Sequence, residues 1–466
     1  MNSRRIFGVI LVLALPFGFL GCATTDPRRA YGEVDHLVSQ GLGQSVALPE
    51  GPTARAQAAA STAKPLTAET AVRIALLNNR RLRAELEEVG ISQADFAQAT
   101  RLPNPRIAAS WRVPDRPPSA VDAEYSLVGN LLDLLTLSAR KTLAGHDLEA
   151  AKLHAADEVL RFASRTRAAF YRLEAQLQLA RDLGVIVRAG DAAADFARRQ
   201  HQAGNITGLD LREQEASAAQ GHLDLIEARE RAAELREDLD RLMGLSGDDG
   251  GWTVADHLPP LPAADPALGG LEAVALGRRL DLAAARARES ELAQALRLKQ
   301  RTRFIPGVSA GVDTERTPDG QRVTGPTLDL ELPLFDQGQP ALAKLAAEAR
   351  QAADRRAALE TAIRSEVRKA RDALVASREA AKLSGERLLP LRQAILQDTL
   401  LQYNAMQKST YDLLLAKQRE EAALEQNVAL LRRYWLARVA LEQATGGRLP
   451  AAVPSSSNPT RVRSGA

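Results

Sequence analysis

The sequence predicts a mainly helical protein that also carries pairs of membrane-type β-strands, too few per chain to close a barrel alone. Three observations support that class. The first is the stretch from Gly325 to Lys344, where a strand pattern runs straight into a helical one. From Thr327 to Phe335 the residues alternate: Leu328, Leu330, Leu332 and Leu334 share one face, and Asp329 and Glu331 lie on the other with Thr327. Carboxylates opposite an unbroken row of leucines suit a wall with lipid outside and water inside. A half-exposed strand of a soluble sheet has the same alternation and is the competing reading. The second observation is helix length. The pattern is helical almost without a break from Ser138 to Gln202, a run that would span roughly 100 Å if straight, too long for a compact core. The third is that the chain repeats itself at an offset of about 200 residues.

Composition limits the alternatives. The chain has 466 residues, 45% hydrophobic and 26% charged, so it is not a disordered polymer. Aromatic residues make up only 4%, which favours long helices over a β-sandwich. The net charge of +3 includes Arg4 and Arg5, which lie in a segment expected to be removed; the remainder gives no case for nucleic-acid binding. The one cysteine, Cys22, allows no internal disulfide and no cysteine-rich metal site.

Taken in order, Arg4 and Arg5 precede an apolar run, Ile6 to Leu20, that ends in Phe19-Leu20-Gly21-Cys22. This reads as a signal peptide over residues 1–21, too short to span as a helix. Residues 22–64, rich in Ala, Gly, Pro, Thr and Ser, read as a tether. A first repeat covers 65–247. Thr67 caps a helix that carries Glu69 in its first turn and runs to about Arg101, where Pro103-Asn104-Pro105 stops it. Ile107, Ala109, Trp111 and Val113 alternate as a strand, and a poorer strand follows from about Glu124 to Leu132. The long helix breaks at Gly204-Asn205-Ile206-Thr207-Gly208, and its successor ends at Met243 with Gly244 as a C-terminal glycine. A Gly- and Pro-rich connector spans 248–265. The second repeat covers 266–446, and residues 447–466 read as a flexible tail.

The repeat is visible by eye. Ala75-Leu76 and Leu82-Arg83-Ala84 match Ala275-Leu276 and Leu282-Ala283-Ala284; Thr207-Gly208-Leu209-Asp210-Leu211 matches Ser409-Thr410-Tyr411-Asp412-Leu413. Each half therefore reads helix, strand, turn, strand, long helix, break, long helix. Four strands cannot close a transmembrane barrel, and open edges are not tolerated in lipid, so several chains must pool their strands.

The duplicated pattern, the Leu102-Pro103-Asn104-Pro105 after the first helix, the GPTLDLELPLFDQG stretch and the cysteine at the end of the signal resemble the outer membrane factor family, whose best-known member is the TolC channel. The signal's ending is similar to the lipobox of its lipoprotein branch. The resemblance covers about Pro65 to Gly446. It implies a lipid on Cys22 and, since Ala23 rather than Asp follows, delivery to the outer membrane. It implies a homotrimer that shares a twelve-stranded barrel and a long helical tunnel across the periplasm, with the connector at the tunnel's equatorial belt. It further implies an exit duct for small molecules or ions, meeting a periplasmic adaptor and an inner-membrane pump. At the periplasmic tip the family's closing residues fall on Tyr403, Lys408, Asp412 and Asp210. Leu415 replaces a second acidic ring residue, and Met406 replaces a glycine usual near the second tip. Without the resemblance, Tyr403 reads as a seam residue, Lys408 as a solvated one, and the two aspartates as N-caps.

Enzyme chemistry has no support. The sequence has no lysine-containing phosphate loop, no GxSxG and no HExxH, and neither a metal nor a cofactor beyond the lipid is expected. The alternative function is a lipid-anchored periplasmic coiled-coil or adaptor protein, which would carry one helical hairpin flanked by soluble β-domains.

Overall fold

The computed structural model describes residues 25–43, 65–113, 115, 121–246, 251–264, 266–305, 307–317 and 319–449. Cys22, the signal segment and most of the tail lie outside them. The described chain forms two units. One takes Glu85–Ala155 and Leu280–Leu359 together with the chain up to Val34; the other takes Asp35–Ala84, Ala156–Arg279 and the chain from Glu360 onward.

The first unit holds the strands. β1 (Arg106–Arg112), β2 (Asp122–Asn130), β3 (Val308–Arg316) and β4 (Arg322–Leu330) form one antiparallel sheet in the order β1-β2-β3-β4. Helical stems join the sheet at one end, and the two hairpin turns lie at the other. The stems belong to α3 (Arg80–Ala99), α4 (Leu131–Gln202), α7 (Leu280–Thr302) and α8 (Gln339–Leu383). The passage from β2 into α4 needs no loop. Asn130 ends the strand, and its Oδ1 accepts from the backbone N–H of Leu132 at 2.9 Å and of Asp133 at 3.3 Å. That cap starts the helix at Leu131, seven residues before the expected Ser138, and ends the strand short of Leu132. Arg356 holds Glu289 at 2.6 Å, tying α8 to α7.

β4 also corrects the sequence reading. The strand was expected from Thr327 to Phe335, but it occupies Arg322–Leu330. Glu331 still donates its N–H to Gly307 O at 3.1 Å. Pro333 then has no N–H to give, and the Leu334 N–H turns back onto Leu332 O at 2.9 Å. Glu331, Leu332 and Leu334 therefore lie beyond the strand. At the other end Gly325 and Pro326 do pair, opposite Asp313 and Val312. Pro326 keeps its place in the register with no N–H to give.

The tether segment contains a helix, α1 (Arg28–Leu42), that its composition concealed. Ala30, Val34, Val38 and Leu42 recur every four residues and are buried. In the first unit Tyr31 donates to Glu87 at 3.1 Å, and Lys152 holds both Glu33 and Glu149 at 2.5 Å. In the second unit the Arg448 N–H reaches Gly41 O at 2.8 Å.

The second unit repeats one corner twice. α2 (Ala68–Asn78), capped by the Thr67 side chain, stops at Asn79, so the single helix expected from Thr67 to Arg101 is two. Asn79 Nδ2 donates to Arg241 O and Leu242 O at 3.3 and 3.0 Å, and its Oδ1 accepts from Leu82 N at 3.0 Å. α5 (Gly208–Met243) ends there at Gly244, whose φ of 66° suits glycine. A Cβ on Gly244 would meet the Asn78 backbone at 2.9 Å. The second copy follows suit: α6 (Leu271–Arg278) breaks at Arg279, and Gly446, at φ 78°, packs against the Arg278 backbone after α10 (Thr410–Ala444).

The connector is a strap across the helices of this unit. Trp252 is buried, donates Nε1–H to Asp240 at 2.8 Å and lies under the Arg236 guanidinium. Leu258 N bonds Gln178 Oε1 at 2.9 Å on α4, and Pro259 O accepts from Trp435 Nε1 at 2.9 Å on α10. Trp435 stacks on Tyr171, 5.1 Å between ring centres. Leu258, Ala175 and Val428 form a small core there.

Candidate functional site: the sheet faces and the hairpin tips

Strand register assigns every side chain of the sheet to a face, because residues directly opposite in an antiparallel pair point the same way. Leu328 opposes Ala310, which opposes Gly129; Pro326, Val312, Leu127 and Ile107 form the next row. Thr324, Thr314, Tyr125 and Ala109 follow, then Arg322, Arg316, Ala123 and Trp111. Val308 and Leu330 open the series at the stem end. This face is apolar from Leu330 to the Tyr125 row. The other face carries Arg106, Ser110, Arg112, Asp122, Glu124, Ser126, Ser309, Asp313, Glu315, Thr327 and Asp329, with Ala108, Val128 and Val323 among them. Side-chain bonds agree with the register: Arg112 pairs with Asp122 and Glu124 at 3.1 and 3.0 Å on the polar face, and Thr314 bonds Thr324 at 2.8 Å on the apolar one.

Leu328 and Leu330 thus sit with Ile107, Leu127 and Val312, and Asp329 sits with the carboxylates of the neighbouring strands. Leu328 is 70% exposed and Ile107 76%. A soluble protein covers an apolar sheet face with another layer; here none of the described residues does so. β1 and β4 have no outer partner among the described residues, so both edges are open. On the polar face Val128 and Thr327 close over Gly311, where a Cβ would stand 2.5 Å from Leu127 O.

The second candidate region is the pair of hairpin turns. α4 and α5 meet at Ala203–Thr207, and α9 (Leu389–Asn404) and α10 meet at Ala405–Ser409. Both turns are built alike. Asn205 N bonds Gln200 O at 2.9 Å and Gln407 N bonds Gln402 O at 2.8 Å, the longer bond of a Schellman turn. The left-handed residue is Gly204 at φ 76° in one and Met406 at φ 58° in the other. Met406 stands where glycine is favoured, and it is 95% exposed.

Asp210 and Asp412 are not N-caps. Thr207 and Ser409 are, and each aspartate is the N3 partner of a capping box. The bond from the Thr207 hydroxyl holds the Asp210 carboxyl below its ordinary range, and that from Ser409 does the same for Asp412. Lys408 Nζ lies 3.9 Å from Asp412 Oδ1, both about two-fifths exposed. Tyr403 is half-buried and its carbonyl accepts the Met406 N–H at 2.9 Å. Lys408, Asp412 and Tyr403 share one turn; Asp210 belongs to the other.

Sequence reading missed a third group. Between α4, α5 and α10 a groove of about 240 Å³ is lined by Asp224, Glu421, Glu425 and Lys417. Burial raises the Glu421 and Glu425 carboxyls, opposed at Glu421 by Lys417. The four-residue spacing of Lys417, Glu421 and Glu425 was the available signal. None of the described helices is long and apolar enough to cross a membrane, and no described group of three or more His, Cys, Asp or Glu could hold a metal ion.

A sheet with one bare apolar face and, among the described residues, two open edges, joined to long helices, is also the fold of solved outer membrane channels. Solved structures with that fold agree. A membrane protein from Pseudomonas aeruginosa aligns with a TM-score of 0.73 at 20% identity, covering 81% of this chain and 92% of that one. The outer membrane protein VceC of Vibrio cholerae gives 0.70 at 19%, over 82% and 96%. The open state of the MtrE outer membrane channel of Neisseria gonorrhoeae gives 0.64 at 16%, over 83% and 90%. No protein-family model matches the chain, and no curated protein sequence does.

Proposed function

We propose that this chain is the outer membrane exit duct of a tripartite efflux system, assembled as a homotrimer. The observation that carries the reading is the sheet. Its apolar face is bare, its opposite face is lined by carboxylates, and its edges lie open. In lipid an open edge costs several kcal/mol per unpaired backbone group. Three copies of a four-stranded sheet make a barrel of twelve, in which β1 of one chain pairs with β4 of the next. The closing of Val128 and Thr327 over Gly311 supports a concave polar face, turned toward a water-filled lumen. Leu328 and Leu330 then face lipid, while Asp329 faces water. Leu332, Leu334 and Glu331 fall at the membrane's edge, where the chain leaves the strand.

Cys22 carries the lipid anchor in this reading, and the hairpins extend into the periplasm toward an adaptor and an inner-membrane pump. Tyr403, Lys408, Asp412 and Asp210 close the far end. An adaptor would need β-domains with covered faces, which this sheet lacks. The test is cysteine scanning of the full-length lipoprotein with a membrane-impermeant thiol reagent. Position 329 labels and position 328 does not if the sheet lines a pore; equal labelling refutes it. Cys22→Ala should abolish fatty-acid incorporation, and undiminished incorporation would sink the anchor.

A further inference from the structure

The apolar face ends in two arginines that make no ion pair among the described residues. Arg316 and Arg322 are direct partners across β3 and β4, nearest the hairpin turn. Partners of that kind lie about 4.5–5.5 Å apart at Cα, and like charges directly opposite destabilise a sheet. The strand carboxylates nearby, Asp122, Glu124, Asp313 and Glu315, are on the other face, where Arg112 takes two of them. In the hairpin turn, Asp319 is engaged by the Gln321 N–H at 3.5 Å and by the Thr317 hydroxyl.

The same row contains Trp111, and Tyr125 lies one row below it. Trp111 meets Tyr125 edge-on at 5.9 Å and donates Nε1–H to its hydroxyl at 3.2 Å. Toward the stems lie only Thr314, Thr324 and apolar residues. Read along the strands, this face runs from apolar band to aromatic pair to arginine pair. That is the polarity profile of a lipid molecule from acyl chain to headgroup, since Trp and Tyr sit at membrane interfaces and guanidinium groups bind phosphate bidentately.

We propose that Arg316 and Arg322, with Trp111 two strands from Arg316 in the same row, form a site for a phosphorylated lipid headgroup on the lipid-facing wall of the barrel. The inference rests on the transmembrane reading of the sheet. Under that reading the hairpin end lies opposite the helical stems and therefore on the outer leaflet. The ligand class is then a phosphorylated glycolipid, whose phosphate spans the two guanidinium groups while its acyl chains cover Ile107, Leu127 and Val312.

The experiment uses the full-length lipoprotein in detergent and native mass spectrometry with added diphosphoryl lipid A. The parent should retain the lipid, and lipid A stripped of phosphate should bind at least tenfold more weakly. The Arg316→Gln/Arg322→Gln variant should lose at least tenfold in bound diphosphoryl lipid. Inorganic phosphate at millimolar concentration should not displace the lipid; full displacement would mean a free-anion site and overturn the assignment to lipid. Equal binding of the phosphorylated and stripped lipids by the parent overturns the proposal without any variant. Unchanged binding by the double variant does so too. Thiol labelling at positions 328 and 329 separates the failures. A preserved labelling pattern with unchanged lipid binding rejects this site alone, whereas a lost pattern in the parent rejects the membrane sheet beneath it.

Discussion

Glu174 makes stability depend on pH, and its contribution can be isolated by one substitution. It sits on α4 in the second unit, 2% exposed, and its Oε2 has no hydrogen-bond partner among the described residues. Burial pushes its carboxyl up to about 7, with only Arg181 pulling the other way. The native state therefore holds the proton more tightly than the unfolded chain does. Stability is fully present below the unfolded value near 4.5 and is lost as pH rises through 7, levelling off above it. A displacement of that size corresponds to about 3 kcal/mol between the two limits. Glu174→Gln keeps the shape, and no charge is left to desolvate. Thermal unfolding of parent and variant in detergent at pH 5 and pH 8.5 gives the comparison. The variant should match or trail the parent at pH 5 and exceed it at pH 8.5. Asp182, Asp240 and Glu425 are also raised by burial, so both proteins will retain some slope. The reasoning fails if the two slopes are the same.

Under the proposed trimeric channel, two further outcomes concern the tips. Replacing Tyr403 by Phe and Lys408 by Ser should raise single-channel conductance in planar bilayers while the trimer stays assembled, because the Lys408–Asp412 pair is half-exposed and is worth only about 0–1 kcal/mol to its own hairpin. An assembled trimer with unchanged conductance would reduce both residues to packing and solvation. Met406→Gly should stabilise the turn by about 0.5–1 kcal/mol, the left-handed strain relieved less the entropy that glycine adds to the unfolded chain; a lowered melting temperature would show that the exposed methionine makes a contact in the assembly.

Period and punctuation made most of the fold legible. Thr67, Gly244 and the two tips are local chemistry, readable within four residues. What the sequence hid depends on partners distant along the chain. Asn79 reads as an ordinary helical residue until its amide is seen on the carbonyls of Arg241 and Leu242. α1 is concealed by its short length and by polar, small residues between Ala30, Val34, Val38 and Leu42, which form its one apolar stripe. β4 was placed several residues late because Gly325 and Pro326 look like breakers, and only the pairing with β3 makes them strand. The site was half legible for the same reason. Leu328 and Asp329 announce two faces from one strand, but the Arg316–Arg322 row exists only once four strands are in register.

The two halves share a plan and differ in strain. α4 runs unbroken through 72 residues, whereas its counterpart is interrupted by a π turn over Ser384–Leu388. Pro390 supplies the reason. It has no N–H for the carbonyl of Glu386, and its ring would press on that oxygen in a regular helix. The ladder widens instead, with the Leu389 N–H reaching back to Ser384 O. The second hairpin then ends on Met406 in a glycine conformation, where the first ends on Gly204. Both departures fall on α8–α10, and neither has an equivalent on α4–α5. Strain of this kind persists only where the surrounding structure holds it or function requires it. Tyr403, Lys408 and Asp412 also belong to that hairpin, so the strained repeat carries three of the four residues proposed for the gate. The other repeat contributes Asp210, held by Thr207 just as Asp412 is held by Ser409. The halves of common design thus differ in backbone: the first hairpin's long helix is continuous, and the second leaves the regular helix at Ser384–Leu388 and ends on a left-handed Met406.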